Sequence, residues 1–238
     1  MYDDIEGYAT SAFFECVGMI NDAIKSDAGI AEIGAYKGKS FCMLNHYSNG
    51  KESYAFDIFE DQQFNWPRSG TIDLTMDMFT ENLRKHDRWS GKNVHIMKCD
   101  TLYSTKLITE DFVKKKVKMF SVDGSHTKHH ALNDLYIAEK CITKDGVVIL
   151  DDFFSSQYAG PTEALFAYEG NLVPFFNVDG ALFLCDQSYH NQYYQHVYTR
   201  TINAHGGHTE FFNNISNINI VNFSKLLNFD VLWYKYMP

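Results

Sequence analysis

Three aspartates lie directly after two apolar segments of the chain. Asp123 follows Val117–Val122, and the adjacent pair Asp151 and Asp152 follows residues 147–150. Between these segments, apolar residues recur at spacings of three and four, which predicts a helix. A strand, a helix and a second strand of this length form a right-handed crossover between parallel strands. Both strands then end at the same edge of the sheet, where open α/β sheets bind ligands, so we expect the three carboxylates to meet there.

Carboxylates gathered in this way repel one another unless a cation or bound protons offset their charge. Each aspartate alone would be explained by helix capping or by a solvated strand end. The adjacent pair after one buried strand, matched by an aspartate after its neighbour, instead favours a metal site formed by Asp123, Asp151 and Asp152. Oxygen ligands suit Mg²⁺, with Mn²⁺ or Ca²⁺ as alternatives, and zinc is disfavoured because no cluster of Cys or His accompanies the aspartates.

A histidine lies in the predicted turn between the first of these strands and the helix. His126 comes three residues after Asp123. A histidine at a helix start usually only packs or caps there, but its pKa lies near neutrality. Beside a metal site, His126 becomes a candidate general base. His129 and His130, on the helix that follows, are expected on its solvated face.

A glycine turn follows the first predicted strand, Ile30–Ile33. Gly34 and Gly38 bracket the turn, and a helix is predicted to begin at Ser40. Glycine lets the backbone approach a ligand closely, and a helix N-terminus favours a carboxylate or a phosphate. The turn departs from the dinucleotide fingerprint G-x-G-x-x-G, which needs a glycine where this chain has Tyr36. Alone, the turn is as compatible with a structural role as with cofactor binding.

Acidic residues also end the next two predicted strands. Asp57 lies in the segment 53–58, and Asp100 follows the segment 94–99. An acidic side chain at the end of the second strand, about twenty residues after a glycine turn, is where a ribose diol would be held. The turn and the two aspartates together therefore predict a cofactor site.

Composition limits the class of protein. The chain has 238 residues, 45% of them hydrophobic, which is enough for one α/β domain with a sizeable core. The net charge of −9 argues against a nucleic-acid partner, because proteins that bind phosphate backbones carry basic patches. We expect no membrane partner, since the N-terminus lacks a signal-peptide pattern and no apolar run reaches the roughly 18–20 residues that span a bilayer. The five cysteines show no C-x-x-C spacing, so we expect reduced thiols in a cytoplasmic protein.

The remaining elements continue an alternation of strands and helices. Apolar spacing predicts helices at 5–26, 72–88, 103–113, 161–168 and 188–203. Apolar runs on either side of Asp179 and Gly180 predict a β-hairpin, and 217–223 is predicted as a further strand. The polar loop 60–71 could lie over a ligand.

These residues resemble the class I S-adenosylmethionine-dependent methyltransferases over roughly residues 28–186. The segment EIGAYKGKS, which begins at Glu32, is similar to the first cofactor motif of the catechol O-methyltransferase branch. Ser125 and His126 after Asp123, the helix HALNDLYIAEKCITKDG and the strand VVILDDF resemble the macrocin O-methyltransferase branch still more closely. That branch methylates sugar hydroxyls of natural products.

The resemblance implies a Rossmann-like α/β fold, a doubly wound and mostly parallel sheet of seven strands whose reversed last strand comes from the hairpin. Because the sequence shows no convincing second-domain boundary, we expect a single methyltransferase domain over 1–238, with a core at 28–186, an N-terminal helix in 1–27 and a C-terminal extension at 187–238. The cofactor would be S-adenosylmethionine. The residues that would bind it lie in the glycine turn and at strand ends: Glu32, Gly34, Ala35, Tyr36, Gly38, Ser40, Asp57, Asp100 and Asp123.

The resemblance also implies individual roles. The turn 34–40 would hold the methionine part of the cofactor, Asp57 the ribose, and Asp100 the region near the adenine. The three aspartates 123, 151 and 152 would bind Mg²⁺, and His126 would be the base. The catechol branch usually has Asp-Asn in place of the aspartate pair and a lysine in place of His126, so these departures make a catechol acceptor less expected.

We therefore expect an S-adenosylmethionine-dependent and Mg²⁺-dependent O-methyltransferase that acts on a hydroxyl of a small molecule, with a sugar or a glycosylated metabolite as candidate acceptor. The alternative is a non-catalytic module of the same fold that binds a cofactor or a nucleotide, and the intact acidic triad speaks against it. A nicotinamide dehydrogenase is disfavoured by Tyr36. The sequence leaves open the identity of the acceptor and the choice between a monomer and a homo-oligomer.

Overall fold

The structure is a computed structural model that describes residues 2–65, 73–88, 92–206 and 218–236. Strands and helices alternate along most of this chain. The seven α-helices of the described residues, α1 to α7 in order, are Ser11–Asn21, Lys39–Asn45, Met76–Lys85, Thr101–Lys106, Lys128–Cys141, Gly160–Ala167 and His190–Gly206. The nine strands, β1 to β9 in order, are Ile30–Ile33, Ser53–Asp57, Val94–Lys98, Val117–Val122, Ile142–Leu150, Leu172–Val178, Ala181–Asp186, Ile218–Leu226 and Phe229–Tyr236.

All nine strands belong to one sheet in the order β3-β2-β1-β4-β5-β7-β6-β9-β8. The first five strands pair in parallel, and β7 runs antiparallel to both β5 and β6. The strand order reverses direction along the chain between β1 and β4, which places a topological switch point there. The prediction of a mostly parallel, doubly wound sheet with a reversed last strand from the hairpin is confirmed.

The C-terminal extension adds two strands that the sequence resemblance does not include. The parallel pairing of β9 with β6 joins the β8–β9 hairpin to the sheet. The predicted strand at 217–223 corresponds to β8, apart from residue 217, which lies outside the described residues, whereas β9 was not predicted. The sheet therefore has nine strands, seven of them in the predicted arrangement.

Helices cover both faces of the sheet, so its central strands are buried on both sides. On one face, α1, α2, α3 and α7 pack through residues such as Val17, Phe41 and Tyr193. On the other face, α5 and α6 pack through residues such as Leu135 and Leu165. Near-continuous apolar strands such as β4, buried at every position, are what this three-layer arrangement requires.

Several helices begin directly after a capping residue. Apolar spacing alone predicted the first residue of these helices less accurately. The predicted helix 5–26 begins only at Ser11, because the Thr10 side chain accepts a hydrogen bond from the Phe13 backbone N–H. The predicted helix 103–113 begins at Thr101, capped by Asp100, and continues as a π-helix at Leu107–Phe112. Among the helices described, none combines the length and the apolar character needed to cross a bilayer.

Candidate active site

The carboxyl ends of β1, β2, β4 and β5 open into one cleft, together with the turn between β6 and β7. Its volume is about 1590 Å³. A pocket for one drug-sized ligand measures about 300–1,000 Å³, so this cleft has room for two small molecules side by side.

The glycine turn after β1 is held in one conformation by close packing. Gly34 has a φ of +85°, and a Cβ there would collide with the backbone carbonyl of Asp123 at the end of β4. Tyr36 has a φ of +47°, which glycine adopts readily and tyrosine rarely. The chain therefore reaches a glycine-like conformation at the position where Tyr36 breaks the dinucleotide fingerprint.

Asp57 fixes this turn. Its Oδ2 accepts a hydrogen bond from the Tyr36 backbone N–H at 2.8 Å, and its Oδ1 accepts one from the Phe59 backbone N–H at 2.6 Å. Burial raises the pKa of the Asp57 carboxyl, and the backbone N–H groups of Tyr36 and Phe59 partly oppose that rise by stabilising the charged form. Asp57 lines the cleft, and so do Gly34, Ala35, Tyr36 and Ser40.

Glu32 lies beneath the cleft. Its side chain is fully buried in β1 and is not among the residues that line the cleft. Burial raises the pKa of its carboxyl to about 8, against the opposing influence of the Ser40 and Ser121 hydroxyls. The Glu32 carboxyl is therefore harder to ionise than an exposed one, and only its neighbours reach the ligand space. Gly38 is likewise absent from the lining residues, because it packs against Phe79 and Leu83.

Asp100 caps α4 and reaches the cleft beside a histidine. Its Oδ1 accepts a hydrogen bond from the Leu102 backbone N–H at 3.0 Å and lies 3.4 Å from Nε2 of His130. The expectation that His130 lies on a solvated helix face is wrong, since its ring lines the cleft. Thr127, one turn earlier, caps α5, and its Oγ1 lies 2.8 Å from Nδ1 of His130. The capping residue Thr127, three residues before His130, was the sequence signal from which this position of His130 could have been predicted.

The three aspartates predicted to meet do lie together in the cleft. The backbone N–H of Asp123 donates to Ile33 at 2.9 Å and that of Asp151 to Val122 at 3.0 Å, so both residues continue the sheet ladder by one step. Burial and the nearby Asp151 charge hold the pKa of Asp123 well above its usual range. Burial and the Asp152 charge raise the pKa of Asp151 to about 6. The crowded carboxyls therefore resist being ionised together, and a bound cation would offset their charge.

His126 contacts the acidic cluster from its buried side, away from the cleft. Its Nε2 lies 2.8 Å from Oδ2 of Asp152, and its ring stacks on Tyr158 with centroids 3.9 Å apart. The side chain is buried and does not belong to the cleft lining, whereas Asp152 does. One ligand atom each from Asp123, His126 and Asp152 lie within 4.8 Å of one another. One of the three converging atoms is thus a nitrogen of the His126 ring. Asp151 lies beside this group.

Segments from which the sequence named no site residue also line the cleft. Residues 6–10 line the cleft, where the Glu6 carboxylate accepts hydrogen bonds from the Tyr36 hydroxyl and the Lys37 ammonium, each at 2.6 Å. Residues 153–158 and 177–181 line it as well, and so do Trp233 and Tyr234 of β9. The predicted loop 60–71 contributes Asp61, Gln62, Phe64 and Asn65, while Trp66, Pro67 and Gly70 lie outside the described residues.

Comparison with known proteins identifies the family. A family profile described as a methyltransferase domain matches residues 31–153, which is just over half of the chain. No curated protein sequence matches the chain.

Solved structures show the same fold. CalS11, a TDP-rhamnose 3′-O-methyltransferase of calicheamicin biosynthesis, is 12% identical and aligns with a TM-score of 0.56 over 73% of this chain and 79% of its own. The O-methyltransferase NovP is 12% identical, with a TM-score of 0.52 over 72% of this chain and 79% of its own. An O-methyltransferase from Bacillus cereus in complex with SAH is 15% identical, with a TM-score of 0.51 over 77% and 85%. The matched segment contains the glycine turn, Asp57, Asp100 and the acidic cluster, and the chain belongs to this methyltransferase-domain family, with the fold of the class I S-adenosylmethionine-dependent enzymes.

Proposed function

We propose that this methyltransferase is a Mg²⁺-dependent O-methyltransferase whose acceptor is a small hydroxyl-bearing molecule, a sugar or a glycosylated metabolite. One observation carries the proposal. The carboxylates of Asp123, Asp151 and Asp152 lie in the same cleft as the glycine turn that follows β1. A methyl donor on the turn and an acceptor at the carboxylates would then share one cleft, which has room for both.

The residues at the cofactor end of the cleft support the proposal that it binds S-adenosylmethionine. The backbone at Gly34, Ala35 and Tyr36 is open to a ligand, Asp57 anchors the turn, and Asp100 with His130 closes the end near β3. In the reaction the acceptor hydroxyl loses its proton, its oxygen bonds to the methyl carbon, and the carbon–sulfur bond breaks to leave S-adenosylhomocysteine. Glu32 would act on this site from below, through the segment it supports, rather than by touching the cofactor.

The donor set of the acidic cluster fits a hard divalent cation. Carboxylate oxygens suit Mg²⁺, and Mn²⁺ or Ca²⁺ share that preference. Asp123 and Asp152 carry two of the converging ligand atoms, and together with Asp151 they would hold the ion. Bound there, Mg²⁺ would lower the pKa of an acceptor hydroxyl. Asp123 and Asp152 would also orient the hydroxyl toward the glycine turn.

We propose His126 as the group that finally takes the acceptor proton. From its buried position the imidazole reaches the cleft through Asp152, whose Oδ2 lies 2.8 Å away. The stacked Tyr158 ring and the contact with Asp152 hold the imidazole in place. A base held in this way is already oriented when the acceptor arrives.

One structural neighbour, CalS11, is a TDP-rhamnose 3′-O-methyltransferase, which supports a sugar acceptor for this chain. We further propose that residues 1–238 act as one domain, because β8 and β9 join the same sheet as the matched segment. We also propose a reducing compartment such as the cytoplasm, because the five cysteines show no C-x-x-C spacing.

The decisive experiment measures transfer of the labelled methyl group from S-adenosylmethionine to a panel of diols, including methyl α-L-rhamnopyranoside and catechol. Each reaction is run with Mg²⁺ and again with excess chelator. We expect a labelled methyl ether with Mg²⁺ and a loss of product with chelator. Undiminished product in chelator would contradict metal dependence. Calorimetric binding of NAD without binding of S-adenosylmethionine would contradict the cofactor assignment.

A further inference from the structure

An exposed aromatic side chain stands immediately after the acidic cluster. Phe154 is 58% exposed in the cleft, and its backbone has a φ of +58°. Its N–H donates to Oγ1 of Thr162 at 2.8 Å, which holds the strained backbone in place. Strained backbone of this kind tends to occur at ligand sites. The strained backbone thus presents an aromatic ring to the cleft two residues beyond Asp152.

The Phe154 ring forms one wall with the indole of Trp233. The two rings stack with centroids 6.0 Å apart and planes 21° from parallel, and Phe153 packs behind both. Trp233 belongs to β9, so this wall joins the end of the β5 segment to the C-terminal hairpin. The hairpin lies outside the matched residues 31–153, and the wall is therefore a feature of this chain's extension.

A buried polar side chain beside the wall lacks a partner among the described residues. Asn177 in β6 pairs with Trp233 in β9, is 5% exposed, and lines the cleft. Its Nδ2 has no hydrogen-bond acceptor there, and neither has the indole Nε1 of Trp233. Leaving a buried donor unpaired is costly, so a donor of this kind at a cleft wall indicates a ligand oxygen.

The lysines that line the cleft lie at one end of it. Among its described lining residues, the lysines are Lys39, at the start of α2, and Lys98, at the end of β3. Both belong to the end where the cofactor would lie. The aromatic wall instead adjoins Asp152 and Asp179, with Ser155, Ser156 and Gln157 nearby. A ligand against the wall meets hydroxyls and amides and, among the described lining residues, no lysine, which suits an uncharged polyol better than a diphosphate.

We propose that Phe154, Trp233 and Asn177 form the acceptor subsite and that it takes an uncharged ring-shaped polyol, such as the pyranose of a glycoside. The apolar C–H face of the ring lies against Phe154 and Trp233, and its hydroxyl edge accepts a hydrogen bond from Asn177. Neighbouring hydroxyls then point toward Asp152. This inference rests on the proposed O-methyltransferase function and adds that the C-terminal hairpin selects the acceptor.

The test uses the full chain with S-adenosylhomocysteine and MgCl₂, and measures ligand binding by saturation-transfer difference NMR. The probes are methyl α-L-rhamnopyranoside, TDP-rhamnose, which has the same ring with a diphosphate, and glycerol, which has vicinal hydroxyls without a ring. The variants are Phe154→Ala and Asn177→Ala. Phe166→Ala is the matched control, because Phe166 is 56% exposed and is not a cleft-lining residue.

We expect saturable binding of the pyranoside with transfer to its ring C–H protons, and weaker binding of both other probes. Phe154→Ala should weaken pyranoside binding by about fivefold or more, since aromatic contacts add to the buried area. Asn177→Ala should weaken it by roughly three- to tenfold, the loss of one hydrogen bond. Phe166→Ala should match the parent protein, and all variants should keep their affinity for S-adenosylhomocysteine.

Three results would overturn the inference: no saturable pyranoside binding by the parent protein, equal binding by Phe154→Ala and the parent, or tighter binding of TDP-rhamnose than of the pyranoside. Retained binding of S-adenosylhomocysteine in those experiments would confine the failure to the acceptor subsite. A parent protein that binds no S-adenosylhomocysteine would overturn the proposed function together with the subsite.

Discussion

Nε2 of His126 lies 2.8 Å from Oδ2 of Asp152, and of the two side chains it is the aspartate that faces the cleft. The imidazole is 6% exposed, so a proton leaving the acceptor would pass the carboxylate before it reached the ring. The same contact would serve a second role, in which His126 only holds Asp152 in position. The two roles differ in how turnover depends on pH.

We expect His126→Ala to lower turnover by roughly 10²–10⁴, the usual contribution of a positioned acid–base group, while the affinity for S-adenosylmethionine is kept. His126→Gln retains a hydrogen-bond donor to Asp152 but cannot accept a proton at neutral pH. If His126 is the base, both variants lose activity, and the pH–rate profile loses the inflection due to imidazole. Turnover of His126→Gln within a few-fold of the parent enzyme, with an unchanged pH profile, would make His126 a positioning residue.

Replacing a carboxylate of the acidic cluster should weaken metal binding and leave cofactor binding intact. Asp123→Asn and Asp152→Asn each remove one charge from the converging ligand atoms. We expect either change to reduce Mn²⁺ affinity, followed by electron paramagnetic resonance, by at least about tenfold, with S-adenosylhomocysteine affinity unchanged in calorimetry.

Asp179→Asn is the matched control for this experiment. Asp179 is a cleft-lining aspartate in the β6–β7 turn, outside the converging set, and its φ of +50° is one that asparagine tolerates. Equal loss of Mn²⁺ affinity in the control would show a general charge effect in place of a defined metal site.

The sheet and most of the site followed from local sequence patterns. Strand ends at Asp57, Asp123 and Asp151 were predictable because apolar runs stop there and parallel strands share one carboxyl edge. The hairpin was predictable from Asp179 and Gly180, whose backbone φ values are both positive. In each case the signal lies within a few residues of the feature.

The missed features depend on contacts between distant segments. The β8–β9 hairpin is fixed by pairing of β9 with β6, more than fifty residues earlier, and its apolar periodicity is weak. The path of residues 2–10 depends on the bonds of Glu6 to Tyr36 and Lys37. The burial of His126 depends on Tyr158 and Asp152. No local pattern encodes such pairings, so these residues of the cleft could be named only from the structure.

Asp57 should matter for stability as well as for cofactor binding. Because its two oxygens accept the backbone N–H groups of Tyr36 and Phe59, Asp57→Ala leaves both donors without this partner. We expect S-adenosylmethionine binding to weaken by roughly 1.5–3 kcal/mol and the free energy of unfolding to fall as well. Asp57→Asn keeps one side-chain oxygen as a hydrogen-bond acceptor. Compared with Asp57→Ala, it should lose less affinity for S-adenosylmethionine in calorimetry and less free energy of unfolding in urea. An alanine variant with parental stability would contradict the anchoring role of Asp57.

Gly34 should tolerate no side chain. A Cβ at Gly34 would meet the Asp123 carbonyl, in addition to the strain of a φ of +85°. Gly50 provides a control, because it has a φ of +72° but its nearest neighbour to a Cβ is Asn93 at 3.6 Å. We expect Gly50→Ala to cost about 1–2 kcal/mol in urea unfolding, the strain alone, and Gly34→Ala to cost more and to abolish cofactor binding. Equal losses of stability in the two variants would show that the close approach of β1 and β4 does not determine whether position 34 accepts a side chain.

The buried Glu32 carboxyl should make stability depend on pH. Its pKa rises from the ordinary value of 4.5 to about 8, chiefly because burial disfavours the charged form. Between these values the folded chain holds a proton that the unfolded chain has released, so raising the pH favours unfolding. The contribution of the Glu32 proton to the free energy of unfolding is complete below about pH 4.5. It is lost as the pH rises to about 8, at up to roughly 1.4 kcal/mol per pH unit.

Glu32→Gln removes this dependence, because the amide stays neutral in both states. We expect the free energy of unfolding of the variant, relative to the parent without ligands, to increase by roughly 2–4 kcal/mol between pH 5 and pH 8.5. Glu81→Gln, on the exposed side of α3, should show a constant difference over the same range. Urea unfolding at several pH values makes the measurement. A constant difference for Glu32→Gln as well would mean that the carboxyl ionises in the fold as easily as in the unfolded chain, and that its proton is not retained beneath the cofactor turn.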